Sequence, residues 1–121
     1  MPLHQRWLPQ YRLRSATAIA RLRRQGQPFH HRLAVLLIEP NDQPVSQFGF
    51  SVSKRIGGAV VRNRVRRRLR ETVRLQMRQI KPGWNCLLIA RPATANASFA
   101  DLLTAVRQLF QQAQLWQETV P

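Results

Sequence analysis

Apolar residues in this chain fall into compact blocks separated by polar, turn-rich segments, and the period of each block predicts an element. Ser15 is placed to cap a helix reaching about Gln25, with Ala16, Ile19, Ala20 and Leu22 on one side and Gly26 positioned to end it. The apolar run from Leu33 to Glu39 is bounded by the turn-forming P-N-D-Q-P, and a second run follows from Phe48 to Val52. Both read as strands, expected to pair antiparallel. From Ala59 to Arg78 the residues Val61, Val65, Leu69, Val73 and Met77 recur every four positions, which predicts a long helix. Pro82-Gly83 stops it, Asn85 to Ala90 forms another strand, and Arg91-Pro92 leaves that strand. A last helix runs from Phe99 to about Leu115. Ser98 is its N-cap, Asp101 lies in the first turn, and Phe99, Leu102, Leu103, Val106, Leu109, Phe110 and Ala113 form its apolar stripe.

Residues 1–121 have the length of one domain, without internal repeat or low-complexity linker. Charge alters this ordinary picture. The net charge is +15 and the isoelectric point about 12.0. Eighteen of the twenty basic residues are arginines, whose planar forks suit bidentate phosphate contacts and stacking on bases, although a GC-rich coding background would give the same bias. Between Lys54 and Lys81 eleven basic residues surround one acid, Glu71. Charge so dense and of one sign repels itself unless a polyanion neutralises it, which points to nucleic acid.

On the long helix, a rotation of 100° per residue sets Arg64, Arg66, Arg67, Arg68, Arg70, Arg74 and Arg78 opposite most of the apolar ridge. Arg62 falls among the apolar positions and has to reach around. Helix N-termini carry partial positive charge and usually collect acids, yet Lys54, Arg55, Gly57, Gly58 and Arg62 crowd this one. A phosphate held by free backbone N–H groups and these cations would resolve the conflict. A mixed-charge helix would read as a solvated face, but almost no acids are interleaved here to form i,i+4 pairs. A membrane surface or a calmodulin-like partner is the other reading of a basic amphipathic helix, disfavoured because this ridge is needed for the core.

Catalytic chemistry is thin. The acids Glu39, Asp42, Glu71, Asp101 and Glu118 are scattered, and His30-His31 lacks a further ligand at zinc spacing, so no catalytic or metal-ligating residue is assigned. The lone Cys86 sits in an apolar run and reads as a small buried hydrophobe. With no signal-like N-terminus and no apolar stretch long enough to span a bilayer, a cytoplasmic location is expected.

The segment F-S-V-S-K-R-I-G-G-A-V-V-R-N-R-V-R-R-R-L-R-E, Phe50 to Glu71, resembles the signature of the protein subunit of bacterial ribonuclease P, with Arg62-Asn63-Arg64 matching that family's RNR motif. Similarity continues in L-P-Q-Y-R-L-R (Leu8 to Arg14) and L-L-I-A-R-P-A (Leu87 to Ala93). The resemblance implies an α+β sandwich in the order α-β-β-β-α-β-α, similar to a ribosomal protein domain, with about four strands in a mixed sheet and the RNR helix in a left-handed crossover. It implies binding of the large catalytic RNA through the RNR region and of the precursor tRNA 5′ leader in a cleft between the first helix and the sheet. Mg²⁺, held mainly by that RNA, would serve the hydrolysis; neither a membrane nor a protein oligomer is required.

Matched position by position, the RNA-contacting run comprises Lys54, Arg55, Arg62, Asn63, Arg64, Arg66, Arg67 and Arg70. Arg12 and Arg14 match the entrance to the first helix. Many relatives carry Asp-Phe and a further aromatic in that helix, where this chain has Ala18, Ile19 and Arg23, so base stacking there is expected to be weaker. The leader-cleft candidates are therefore Arg12, Arg14, Ile19, Arg23, Phe48 and Phe50; Phe29, Phe48 or Phe50 could supply a ring or pack in the core. Two rival functions are an RNA-binding protein of the ribosome, which leaves the RNR run unexplained, and a stand-alone metal nuclease, which lacks carboxylates.

Overall fold

A computed structural model describes residues 7–118. Its principal elements are α1 (Ala16–Gln25), β1 (Gln27–His30), β2 (Ala34–Pro40), β3 (Gln47–Ser51), α2 (Ala59–Gln76), β4 (Trp84–Ala90) and α3 (Phe99–Gln112). Short 3₁₀ turns at Pro9–Tyr11, Lys54–Ile56, Met77–Gln79 and Pro92–Asn96 connect them. The order is α-β-β-β-α-β-α, as the resemblance implies.

The four strands form one mixed sheet in the order β1-β2-β4-β3. β1 and β4 flank β2 antiparallel, while β3 runs parallel to β4. The expected hairpin between Leu33–Glu39 and Phe48–Val52 is therefore corrected, because β4 lies between those strands. The physical reason is burial: Asn85 to Leu88 of β4 are all buried, so this strand takes a central place with both faces covered. β3, interrupted by Gly49, is left at the edge and reaches β4 through the α2 crossover. β1 is absent from the periodicity argument. Its sequence Q-P-F-H carries Pro28, which lacks the N–H a central strand needs and suits an edge.

Side chains alternate across the sheet and divide the core in two. On one face Leu36, Ile38, Phe48, Cys86 and Leu88 pack against Val65, Leu69 and Val73 of α2 and Leu102, Val106, Leu109 and Phe110 of α3. On the other face Leu37 and Leu87 pack against Leu13 and against Ala18 and Leu22 of α1. The apolar side expected for α1 shifts accordingly, since Ala16 and Ala20 are exposed while Ala18 is buried. Burial of a leucine such as Leu69, at 0% exposure, contributes about 1.5–3 kcal/mol, and this is what holds α2 down despite its charge.

Caps follow the sequence. Ser15 Oγ accepts from the Ala18 N–H at 3.1 Å, and Ser98 Oγ accepts from the Asp101 N–H at 3.0 Å. α3 ends at Gln112, short of Leu115. Gln114 takes φ 60°, and Leu115 then turns inward, accepting the Lys81 N–H at 2.8 Å. Among the described residues no helix is long and apolar enough to cross a membrane.

Candidate nucleic-acid interface

The helix that carries the RNR run is packed along one face, so its arginines project from the faces left open. Val65, Leu69 and Val73 are buried, joined by Thr72 and Gln76. Thr72 Oγ1 donates to the Leu69 carbonyl at 2.6 Å, and Gln76 Nε2 donates to the Thr72 carbonyl at 3.0 Å, so these buried polar groups are satisfied locally.

Three groups of cations result. Arg62, Arg66, Arg70 and Arg74 follow one another at i,i+4 along the flank nearest β3; Arg66 Nη1 donates to Asn63 Oδ1 at 3.1 Å, and Arg74 pairs with Glu71 one turn back. Arg64 and Arg68 lie on the opposite flank, each donating at 3.4 Å to a backbone carbonyl of the segment between β4 and α3, that of Ala95 and that of Ala97 respectively. Asn63 and Arg67 are exposed between the two flanks, and Arg62 is half-buried, as a residue reaching around the ridge must be.

The approach to α2 carries cations and no acid. Lys54 and Arg55 occupy a 3₁₀ turn and are exposed; Gly57 then takes φ 156° and ψ −167°, and Gly58 is an N-cap with no side chain to bond the first-turn N–H groups. No acid lies in that turn. The first turn therefore offers N–H groups and the positive end of the helix dipole, with two exposed cations in the turn just before it.

A second surface lies across the sheet. The register aligns His30, Val35, Ile89 and Ser51 in one transverse row on the α1 face. Val35, Ile89 and Ile19 are only partly buried against the α1 core, so they form an apolar floor. Arg23 Nη2 donates to Ser51 Oγ at 2.7 Å at one end of the row. At the other end Arg91 Nη2 donates to His30 Nδ1 at 3.1 Å, which fixes His30 as an acceptor at that nitrogen because arginine can only donate. The sequence marked Ile19 and Arg23 for this place and missed Val35, Ile89, Ser51 and Arg91. The alternation within each strand was the available signal, and it becomes usable only once the register is known.

The remaining cleft candidates lie elsewhere. Phe48 projects to the opposite face, is 2% exposed and meets Phe110 edge-on with centroids 6.3 Å apart, so its ring is not available to a ligand in the α1 groove. Phe50 projects to the same face as Phe48 and is half-buried, and Phe29 shares that face through its register with Leu36. Arg12 and Arg14 are exposed on a segment bonded to the β3 edge, where the Leu13 N–H donates to the Phe48 carbonyl at 3.0 Å.

Two of the acids, Glu39 and Glu71, are engaged by arginines, while Asp42 and Asp101 are exposed. Glu39 accepts from Arg21 Nε at 2.8 Å and Nη2 at 2.5 Å, and from Asn85 Nδ2 at 3.0 Å. The Arg21 hydrogen bonds hold the Glu39 carboxyl below the usual carboxylate range, against the opposing effect of burial. Among the described residues no three His, Cys, Asp or Glu side chains gather at metal-binding distance. His31 serves the fold: its Nδ1 accepts the Leu33 N–H at 3.0 Å, leaving Nε2 to donate to Gln108 Oε1 at 3.2 Å. Burial pushes the Cys86 thiol far above its ordinary pKa, so it is an inert core group.

Comparison with known proteins bears on the family and the fold. The family model described as Ribonuclease P matches residues 8–114. The ribonuclease P protein component of Roseiflexus castenholzii is 47% identical over 111 residues, covering 91% of each chain. That of Symbiobacterium thermophilum is 37% identical and covers 88% of this chain and 94% of its own. Among solved structures, the RNase P protein of Staphylococcus aureus superposes with a TM-score of 0.80 at 23% identity, over 88% of this chain and 98% of the other. That of Thermotoga maritima gives 0.77 at 23% identity, over 84% and 96%. The shared fold, the RNR helix and the extent of these matches place the chain in the ribonuclease P protein component family.

Proposed function

We propose that this subunit of ribonuclease P, a component of tRNA 5′-end processing, holds the catalytic RNA with α2 and the precursor's 5′ leader in the groove beneath α1. The observation that carries this reading is the placement of two cationic surfaces on opposite faces of one sheet. On the α2 side, Lys54, Arg55, Arg62, Asn63, Arg64, Arg66, Arg67 and Arg70 meet phosphate and sugar of the ribozyme. These contacts fix orientation without reading sequence. On the α1 side, Ile19, Val35 and Ile89 offer an apolar floor for bases, while Arg23 and Arg91 at its ends take the leader's phosphates.

The described residues do not fit a protein-held Mg²⁺. Glu39 and Glu71 are committed to arginines, Asp101 lies exposed in the first turn of α3, and nothing brings the acids together. Mg²⁺ would be held by the RNA and would activate the attacking water there. The protein lowers phosphate repulsion between ribozyme and substrate, which favours their approach and the filling of the RNA's own metal sites. It donates no catalytic acid or base.

Reconstitution tests this division of labour. Purified protein should cleave no precursor tRNA, and cognate RNA should restore leader removal at low Mg²⁺. Arg23→Ala should weaken binding of precursor with a leader and leave mature tRNA binding unchanged. Cleavage by the protein without RNA, or equal loss for both substrates, would overturn the reading.

A further inference from the structure

The arginines of the N-terminal segment and of α2, separate in the sequence, converge on one cavity at the edge of β3. It has a volume of about 220 Å³ and is lined by Arg12, Arg14, Arg66 and Arg70 around Trp7 and Phe50, with no acid among its lining residues. Trp7 and Phe50 have ring centroids 5.8 Å apart at an angle of 51°, so two aromatic walls meet at a tilt. Tyr11 and Phe48 back Trp7 at 6.1 and 5.9 Å, which fixes the indole in place. None of the four arginines forms an ion pair among the described residues. Gly49 and Leu13 also line the cavity; a Cβ at Gly49 would come within 3.2 Å of Leu87 Cδ1 on the α1 face of the strand, so the glycine is kept there by packing against that core.

Four guanidinium groups around an aromatic corner are mutually repulsive without an anion, and the rings would be poorly matched to phosphate alone. The cavity is smaller than the roughly 300–1,000 Å³ that suits drug-sized ligands. The geometry points to a pocket for a single unpaired nucleotide of RNA. Its base lies against Trp7 and Phe50, and its flanking phosphates are held by Arg12 and Arg14 from the N-terminal segment and by Arg66 and Arg70 from α2. Stacking tolerates any base, because every base has a π-face, while the guanidinium groups add cation–π contact and charge. The pocket is distinct from the α1 groove, since Trp7 and Phe50 belong to the α2 side of the sheet. It gives the RNA-holding surface a place for one extruded residue, and so rests on the RNA-binding reading above.

The test uses the full-length protein and two fluorescein-labelled RNA pentamers, pentaadenylate and the same chain with an abasic central ribose, followed by anisotropy. The intact pentamer should bind about tenfold more tightly, the weight of one stacked base. Trp7→Ala and Phe50→Ala should each bring it toward the affinity of the abasic pentamer and leave the abasic affinity unchanged, with circular dichroism confirming the fold. Equal binding of the two pentamers to the unaltered protein, or a preference that survives both substitutions, overturns the pocket while leaving phosphate recognition intact. Failure of both pentamers to bind overturns the RNA-holding surface as well. Full displacement of the intact pentamer by inorganic phosphate at low millimolar concentration would also sink the assignment, because it removes the need for a base.

Discussion

Adjacent glycines at the start of α2 should respond oppositely to the same methyl group. Gly57 has φ 156° and ψ −167°, a region essentially restricted to glycine, and a Cβ built there stands 3.1 Å from both Cβ and Cγ1 of Val61. Val61 is β-branched and sits on the helix, so it has little room to turn away. Gly57→Ala should therefore cost about 1–3 kcal/mol, the usual range for such backbone strain. Gly58 has φ −71° and ψ 178°, which any residue can adopt, and nothing lies within 4 Å of its Cβ position. Gly58→Ala narrows the unfolded ensemble but loses a tolerated N-cap, two effects of a few tenths to 1 kcal/mol that oppose each other, so its stability should stay within about 0.5 kcal/mol of the parent. In urea, with a slope of about 2 kcal/mol per molar, a loss of about 2 kcal/mol moves the midpoint of Gly57→Ala down by about 1 M and leaves that of Gly58→Ala near the parent's. Far-ultraviolet circular dichroism reads both. Equal midpoints for the two variants would refute the claim that Gly57 is kept for its backbone conformation.

Other outcomes follow from the same geometry. If about six arginines meet phosphate, the logarithm of RNA affinity should fall with the logarithm of salt at a slope of about −4 to −5, and a slope near zero would remove the phosphate model. Arg66→Ala should flatten that slope by about one contact while leaving thermal stability nearly unchanged, because Arg66, though half-buried, forms no ion pair among the described residues and its side-chain hydrogen bond to Asn63 lies at the surface; a clear drop in Tm would contradict its role as a binding residue. Phe110→Ala should destabilise by about 3–5 kcal/mol in urea, since the ring is 0% exposed and packs on Phe48. For Glu39, whose folded pKa is depressed by Arg21, the added stability is present above the ordinary carboxylate range and lost as pH falls through and below it. The parent should therefore melt higher than Glu39→Gln at neutral pH, and the gap should close in acid; a gap that persists at about pH 2 would show that the ion pair is not its source.

Elements whose information is local were legible in the sequence. The caps at Ser15 and Ser98 and the ridge of α2 are short-range patterns, and the structure carries them at those positions. What escaped was long-range. Nothing in the F-G-F stretch says that its neighbour is β4 and not β2, because that choice depends on which strand needs cover on both faces. Phe48 and Phe50, two residues apart, share a face and both line the β3 cavity, yet Phe48 is buried against Phe110 of α3 while Phe50 is only half-buried. Trp7 and Tyr11 lie near the N-terminus among polar and proline residues and join the core only because their segment bonds to the β3 edge. Arg64 and Arg68 read as free cations, whereas their contacts to Ala95 and Ala97 also make them braces for the connection between β4 and α3.

Because α2 is spliced between two neighbouring parallel strands, it cannot swing without shearing the sheet. The platform behaves as a spacer of set thickness: whatever rests on the helix stays a sheet's depth from whatever threads past α1. If the catalytic RNA rests on the helix and the leader passes α1, as proposed, two polyanions that would repel each other in free solution would be held in a fixed relative bearing, with a layer of leucine and isoleucine between them.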